Sequence, residues 1–139
     1  MRKKFFSEEI GGYLDKPYKF GGKDSSGYNA IGLVYDFYKN RGIDFPTTYG
    51  EYTIDNIHLI WKERKDIAEE ALLNTIKDIG KNIPVGEQVA ADLVVMMIGE
   101  SMFPGIYIGN NSVLMGTFKG VRSIAIDDLC YPILVRRLS

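Results

Sequence analysis

The sequence predicts an α+β protein, and three observations carry that reading. Apolar positions recur at helical spacing over 30–41 and again over 54–79. After Val85 the pattern changes to short apolar runs of strand length, at 92–98, 105–109, 112–117, 121–126 and 131–137. Helices come first and no strand–helix–strand units alternate, so N-terminal helices packed on an antiparallel sheet of about five strands are expected.

Taken in order, residues 7–14 are expected to form a short helix with Ser7 as N-cap and Glu8 and Glu9 in its first turn. Gly11 and Gly12 weaken that helix. Lys16-Pro17, Gly21-Gly22 and the stretch from Asp24 to Gly27 make 15–28 an ordered loop. The helix over 30–41 has Ile31, Leu33, Val34, Phe37 and Tyr38 on its apolar positions and Gly42 as its stop. The helix over 54–79 places Ile54, Ile57, Trp61, Ala68, Ala71, Leu72, Ile76 and Ile79 at helical spacing. Lys62, Glu63, Asp66, Glu69, Glu70 and Lys77 read as its solvated face. Thr53 or Asp55 is expected to cap its start, and Gly80 with Pro84 to end it. Gly109-Asn110-Asn111 marks a hairpin turn between two strands.

With 139 residues, 45% hydrophobic and 25% charged, the chain reads as one globular domain spanning 1–139. A net charge of -1 argues against nucleic acid as a partner. One cysteine, Cys130, excludes an internal disulfide, and one histidine, His58, leaves no zinc-ligand set. Gly21-Gly22 lacks the spacing of a phosphate loop, so no cofactor is expected. Met1, Arg2, Lys3 and Lys4 form a charged start, but Ser7, Glu8 and Glu9 interrupt any apolar segment after it. No signal peptide is visible and no run is long enough for a membrane span, so the chain is expected to be cytoplasmic as synthesised.

From Lys16 to Val34 the chain reads Lys-Pro-Tyr-Lys-Phe-Gly-Gly-Lys-Asp-Ser-Ser-Gly-Tyr-Asn-Ala-Ile-Gly-Leu-Val. This stretch resembles the active-site block of the NlpC/P60 cysteine peptidases: Pro-Tyr-x-x-Gly-Gly, a Ser/Gly loop, then Asp-Cys-Ser-Gly-Leu-Val opening a helix. The run from Arg41 to Pro46 is similar to that family's Gly-Ile-x-x-Pro, and Ala91 to Val95 to its Gly-Asp-Leu-Val strand. Phe103-Pro-Gly-Ile-Tyr-Ile-Gly109 resembles its His-Val-Gly-Ile-Tyr-Ile-Gly. The likeness covers roughly 13–46 and 89–126, in the family's order, and implies a papain-like fold. The helical segment at 54–80 has no clear counterpart and reads as an insertion.

That family mostly cleaves peptide stems of bacterial cell walls with a helix-terminal cysteine whose thiolate a histidine stabilises. The resemblance places Ala30 where the nucleophile stands, Phe103 at the general base and Met115 at the third, orienting residue. None of these can exchange a proton, so a pseudoenzyme without catalytic residues is expected. Asn29 and Ile31 stand where the family's Asp and Ser hold the substrate amine, while Tyr18 keeps the family's tyrosine. Asn29 retains a hydrogen bond without the charge that would pair with an ammonium.

The cleft expected from Tyr18, Asn29, Ala30, Ile31, Phe103 and Met115 is apolar. It either collapses into core or stays open for an apolar group, and collapse is favoured because an empty apolar cavity forfeits packing. A relocated pair of His58 and Cys130 is weighed against a satisfied half-buried histidine and an inert buried cysteine, and the latter reading is preferred. Met96, Met97, Met102 and Met115 read as core filler rather than an adaptable surface.

The functional expectation is a non-catalytic domain with a structural or protein-binding role, such as a phage or prophage tail component assembled into a phage-like particle. Its partner, or a second copy, would meet helix 54–79 if the apolar face there exceeds what the core covers. The alternatives are a non-catalytic peptidoglycan-binding module and a binder of a lipid or other apolar ligand in the cleft.

Overall fold

The computed structural model describes residues 6–139, and the charged start at Met1, Arg2, Lys3 and Lys4 lies outside them. Helix α1 (Phe6–Tyr13) runs through Gly11 and Gly12 and is held by burying Ile10 and Tyr13. The ordered loop expected after it contains a small hairpin, β1 (Lys23–Asp24) and β2 (Gly27–Tyr28). Its turn is closed by Asp24 Oδ1, which accepts from the Ser26 N–H at 2.9 Å and the Ser26 hydroxyl at 2.6 Å.

Helix α2 (Ala30–Asn40) buries Leu33, Val34 and Phe37 completely. It ends as Gly42 predicts: with Gly42 at φ +74, the Ile43 N–H reaches Tyr38 O at 2.9 Å and the Gly42 N–H reaches Lys39 O at 3.0 Å. A second hairpin, β3 (Thr48–Tyr49) and β4 (Tyr52–Thr53), follows.

The single helix expected over 54–79 is two helices, α3 (Ile57–Glu63) and α4 (Lys65–Ile76). Arg64 between them is extended, at φ -139 and ψ 77. The uninterrupted charge run from Lys62 to Asp66 offers the core no apolar side chain, so nothing holds the helix continuous there. Neither expected cap is used. Asn56 precedes α3 and turns its side chain back to accept from the Thr53 N–H at 2.8 Å, while Asp55 pairs with Lys23.

Glu69 does not belong to a solvated face. It is 7% exposed and accepts from the Met102 N–H at 2.9 Å. Periodicity placed it with the polar residues, whereas its partner is a strand backbone distant in sequence.

The sheet has six strands in the order β5-β10-β6-β7-β8-β9: β5 (Lys81–Ile83), β6 (Leu93–Ile98), β7 (Ser101–Gly109), β8 (Ser112–Thr117), β9 (Gly120–Ala125) and β10 (Cys130–Arg137). All neighbours are antiparallel. The strand beyond the expected five is β5, which buries only Ile83 and is too short for an alternation to show. The β7–β8 turn has both Asn110 and Asn111 left-handed, at φ 50 and 58, the geometry that a two-residue hairpin loop requires.

Alternation along the strands makes two apolar faces. Leu93, Val95, Ile106 and Leu114 pack with α2 in the main core. Val94, Met96, Val113, Met115 and Val135 form a second cluster, joined at its margin by Phe103, Ile98 and Ile124.

Candidate functional site: an open apolar groove at the start of α2

The start of α2 is fixed by close backbone approach. Asn29 Oδ1 accepts from the Gly32 N–H at 2.7 Å, capping the helix, and the Asn29 N–H donates to Gly22 O at 3.0 Å. A Cβ on Gly32 would lie 1.9 Å from Gly22 O, and one on Gly116 would lie 2.6 Å from Asn29 O. Only glycine lets the loop at Gly22 and strand β8 close on the helix start from two sides. Ala30 is thereby held at the helix N-terminus, facing the margin of the second cluster.

There the surface sinks into a groove of about 700 Å³. Tyr18, Asn29, Ala30, Ile31, Phe103 and Met115, brought together by the sequence argument, all line it. Collapse, which packing favoured, has not occurred. The walls are aromatic pairs braced against each other: Trp61 on Phe103 at 6.2 Å, Tyr18 on Phe118 at 5.0 Å and Phe20 on His58 at 4.6 Å between centroids. Rings committed to one another cannot also turn inward to fill the space.

Sequence reasoning missed Phe20, Trp61, Phe118, Ile98 and Ile124 as lining residues. His58 and Trp61 stand three apart on α3, a spacing that puts them on one face, but nothing in the spacing says what that face meets. Phe118 sits at the tip between β8 and β9 and is 82% exposed.

The apolar face of the helical pair is spent inside the molecule. Ala68, Leu72 and Ile76 of α4 are fully buried, and of the exposed large hydrophobic residues only Leu59 lies in α3 or α4. The wide outer patch that an interface on 54–79 requires is therefore not present among the described residues. What α3 contributes is the wall of the groove.

The groove is poor in proton-transfer chemistry. No Asp or Glu lines it, and Lys62 is its one ammonium group. His58 and Cys130 both line it, yet no hydrogen bond joins them among the described residues. Burial lowers the His58 pKa from the ordinary histidine value, partly offset by Asp55. Burial, with Asp127 adding, pushes the Cys130 thiol up, the reverse of what a nucleophilic thiolate needs. His58 is half-buried as expected but not satisfied: its Nδ1 and the Trp61 Nε1 are buried without a partner. Among the described residues no group of three or more His, Cys, Asp or Glu is placed to hold a metal ion. Among the described residues no helix is long and apolar enough to cross a membrane.

Comparison with known proteins bears on the family and the fold. The sequence model of the NlpC/P60 family matches residues 15–132. No curated protein matches the chain. Among solved structures, the NlpC/p60 domain of the peptidoglycan hydrolase SagA aligns with a TM-score of 0.62 at 19% identity, covering 95% of both chains. An NlpC/P60 family protein from Bacillus cereus aligns with a TM-score of 0.64 at 17% identity, over 98% of this chain and 41% of that one. RipD from Mycobacterium tuberculosis, described as a non-catalytic NlpC/p60 domain protein adapted to peptidoglycan binding, aligns at 0.61 and 14% identity, over 95% and 93% of the two chains. At these identities the likeness establishes the fold.

Proposed function

The chain belongs to the NlpC/P60 family, and from that premise we propose that it is a non-catalytic member with a structural or protein-binding role, whose cleft receives an apolar group instead of cutting a peptide. The observation that carries this reading is the open groove at Ala30, walled by Phe103, Met115 and Trp61 with no carboxylate in its lining. Peptide hydrolysis by this fold needs a nucleophile and a proton acceptor within hydrogen-bond reach of each other. Ala30 at the helix N-terminus supplies neither. His58 and Cys130 share the lining, but the raised thiol and the depressed imidazole both oppose an ion pair.

A structural or protein-binding role, as in a phage or prophage tail, needs no chemistry from such a groove. The test is digestion of purified cell-wall sacculi with muropeptide release as the readout. Release no greater than in buffer is expected. Release that is lost in Cys130→Ala or His58→Gln would overturn the reading, because it would place working chemistry in the groove.

A second reading, binding of peptidoglycan without cleavage, draws on Tyr18 at the groove and on the likeness to RipD. Cosedimentation with insoluble peptidoglycan tests it. Saturable binding that Tyr18→Ala abolishes would put this reading first, and no binding would remove it.

A further inference from the structure

The lining of the groove also selects a chemical class of occupant, an inference that rests on the groove being a binding site and not a peptidase cleft. Its walls at Trp61, Phe103, Met115, Ile98 and Ile124 have almost nothing to give a polar group. Left to solvent, a space of about 700 Å³ fills with water facing walls that offer it few hydrogen bonds. An apolar occupant that displaces it is favoured.

A buried peptide segment is a poor occupant. Each of its N–H and C=O groups needs a partner, and beyond the unpaired His58 Nδ1 and Trp61 Nε1 the groove lining offers few polar side-chain atoms. Asn29 Oδ1 caps α2, and the Thr117 hydroxyl donates to Gly120 O at 2.7 Å. An acyl chain brings no such groups.

Charge then sets the other end of the ligand. Lys62 is exposed, its Nζ lies 5.7 Å from the Phe20 ring centroid, and it makes no ion pair with a carboxylate among the described residues. With no Asp or Glu in the lining, the groove presents one cation and no anion to an entering head group. We propose that the groove binds a free long-chain carboxylate, with the acyl chain against the apolar walls and the carboxylate at Lys62.

Trp61 is the only tryptophan in the chain and stands in the groove wall, so its emission reports occupancy directly. The full chain is titrated at neutral pH with laurate below its micelle concentration, and in parallel with butyrate and with dodecylammonium. Laurate is expected to give a saturable one-to-one change, butyrate none, and dodecylammonium weaker binding than laurate. Lys62→Glu, a change at an exposed position, is expected to weaken laurate by about three- to tenfold, the scale of reversing an exposed ion pair.

No saturation with laurate would overturn the proposal. So would equal affinity for laurate and dodecylammonium, indifference to Lys62→Glu, or a response to anionic phospholipid vesicles alone. Muropeptide release in the sacculus assay would overturn the non-catalytic reading itself. Absence of release together with absence of laurate binding would overturn only the carboxylate assignment.

Discussion

Trp61 lies flat on Phe103, with 6.2 Å between ring centroids and 9° between ring planes, and this contact stacks helix α3 onto strand β7 across the mouth of the groove. It joins two segments that periodicity treats as independent. The pair also explains why the groove stays open, since each ring spends one face on the other.

The pair is expected to stabilise the fold by about 0.5–1.5 kcal/mol beyond the area it buries. A double-mutant cycle with Trp61→Ala, Phe103→Ala and the combined variant, followed by denaturant unfolding, measures that coupling. Additive single-variant losses would mean that the rings are merely adjacent.

Asn29 carries a second prediction. Because its side chain already accepts from the Gly32 N–H, Asn29→Ala should cost about 0.5–2 kcal/mol, as loss of an N-cap does. Asn29→Asp keeps the cap and adds a charge that the helix N-terminus favours, so it should be as stable as the parent or more so. Thermal melts of the two variants check the order. An Asn29→Ala protein as stable as the parent would show that the cap contributes nothing.

Much of this architecture is legible in the sequence. The apolar stripe of α2, its Gly42 stop and the Asn110-Asn111 turn are local signals, and each has its expected structural counterpart. Tyr18, Asn29, Ala30 and Ile31 and the pair Phe103 and Met115 meet at one groove because the order of the blocks already encodes the fold. What the sequence does not display are relations between distant segments. The break at Arg64 leaves the apolar spacing on either side intact, so periodicity runs straight through it. That the groove stays open depends on ring-to-ring contacts between α3 and β7, and on the loop at Phe20 meeting His58, none of which has a local signature.

Glu69 shows the same limit and gives a third prediction. Its carboxylate, on α4, accepts from the buried-side backbone N–H of Met102 on β7. Glu69→Ala leaves that donor unpaired and should destabilise the protein by about 1–3 kcal/mol. Glu69→Gln retains an accepting oxygen and should recover most of the loss. Denaturant midpoints separate these outcomes, and an equal loss in both variants would show that charge, not the hydrogen bond, matters.

His58 supplies a pH dependence whose sign is fixed by burial. The folded protein depresses its pKa below the ordinary value of 6.5, so between the two values the unfolded chain binds the proton that the folded chain refuses. Its contribution to stability is therefore complete above pH of about 6.5 and is lost as pH falls through the depressed folded value. Asp55 opposes the shift by favouring the imidazolium. Melting temperatures taken from pH 8 down to pH 5 should fall more steeply for the parent than for His58→Gln, which has nothing to titrate at this site. Parallel curves for the parent and His58→Gln would show that the imidazole titrates as it does in water.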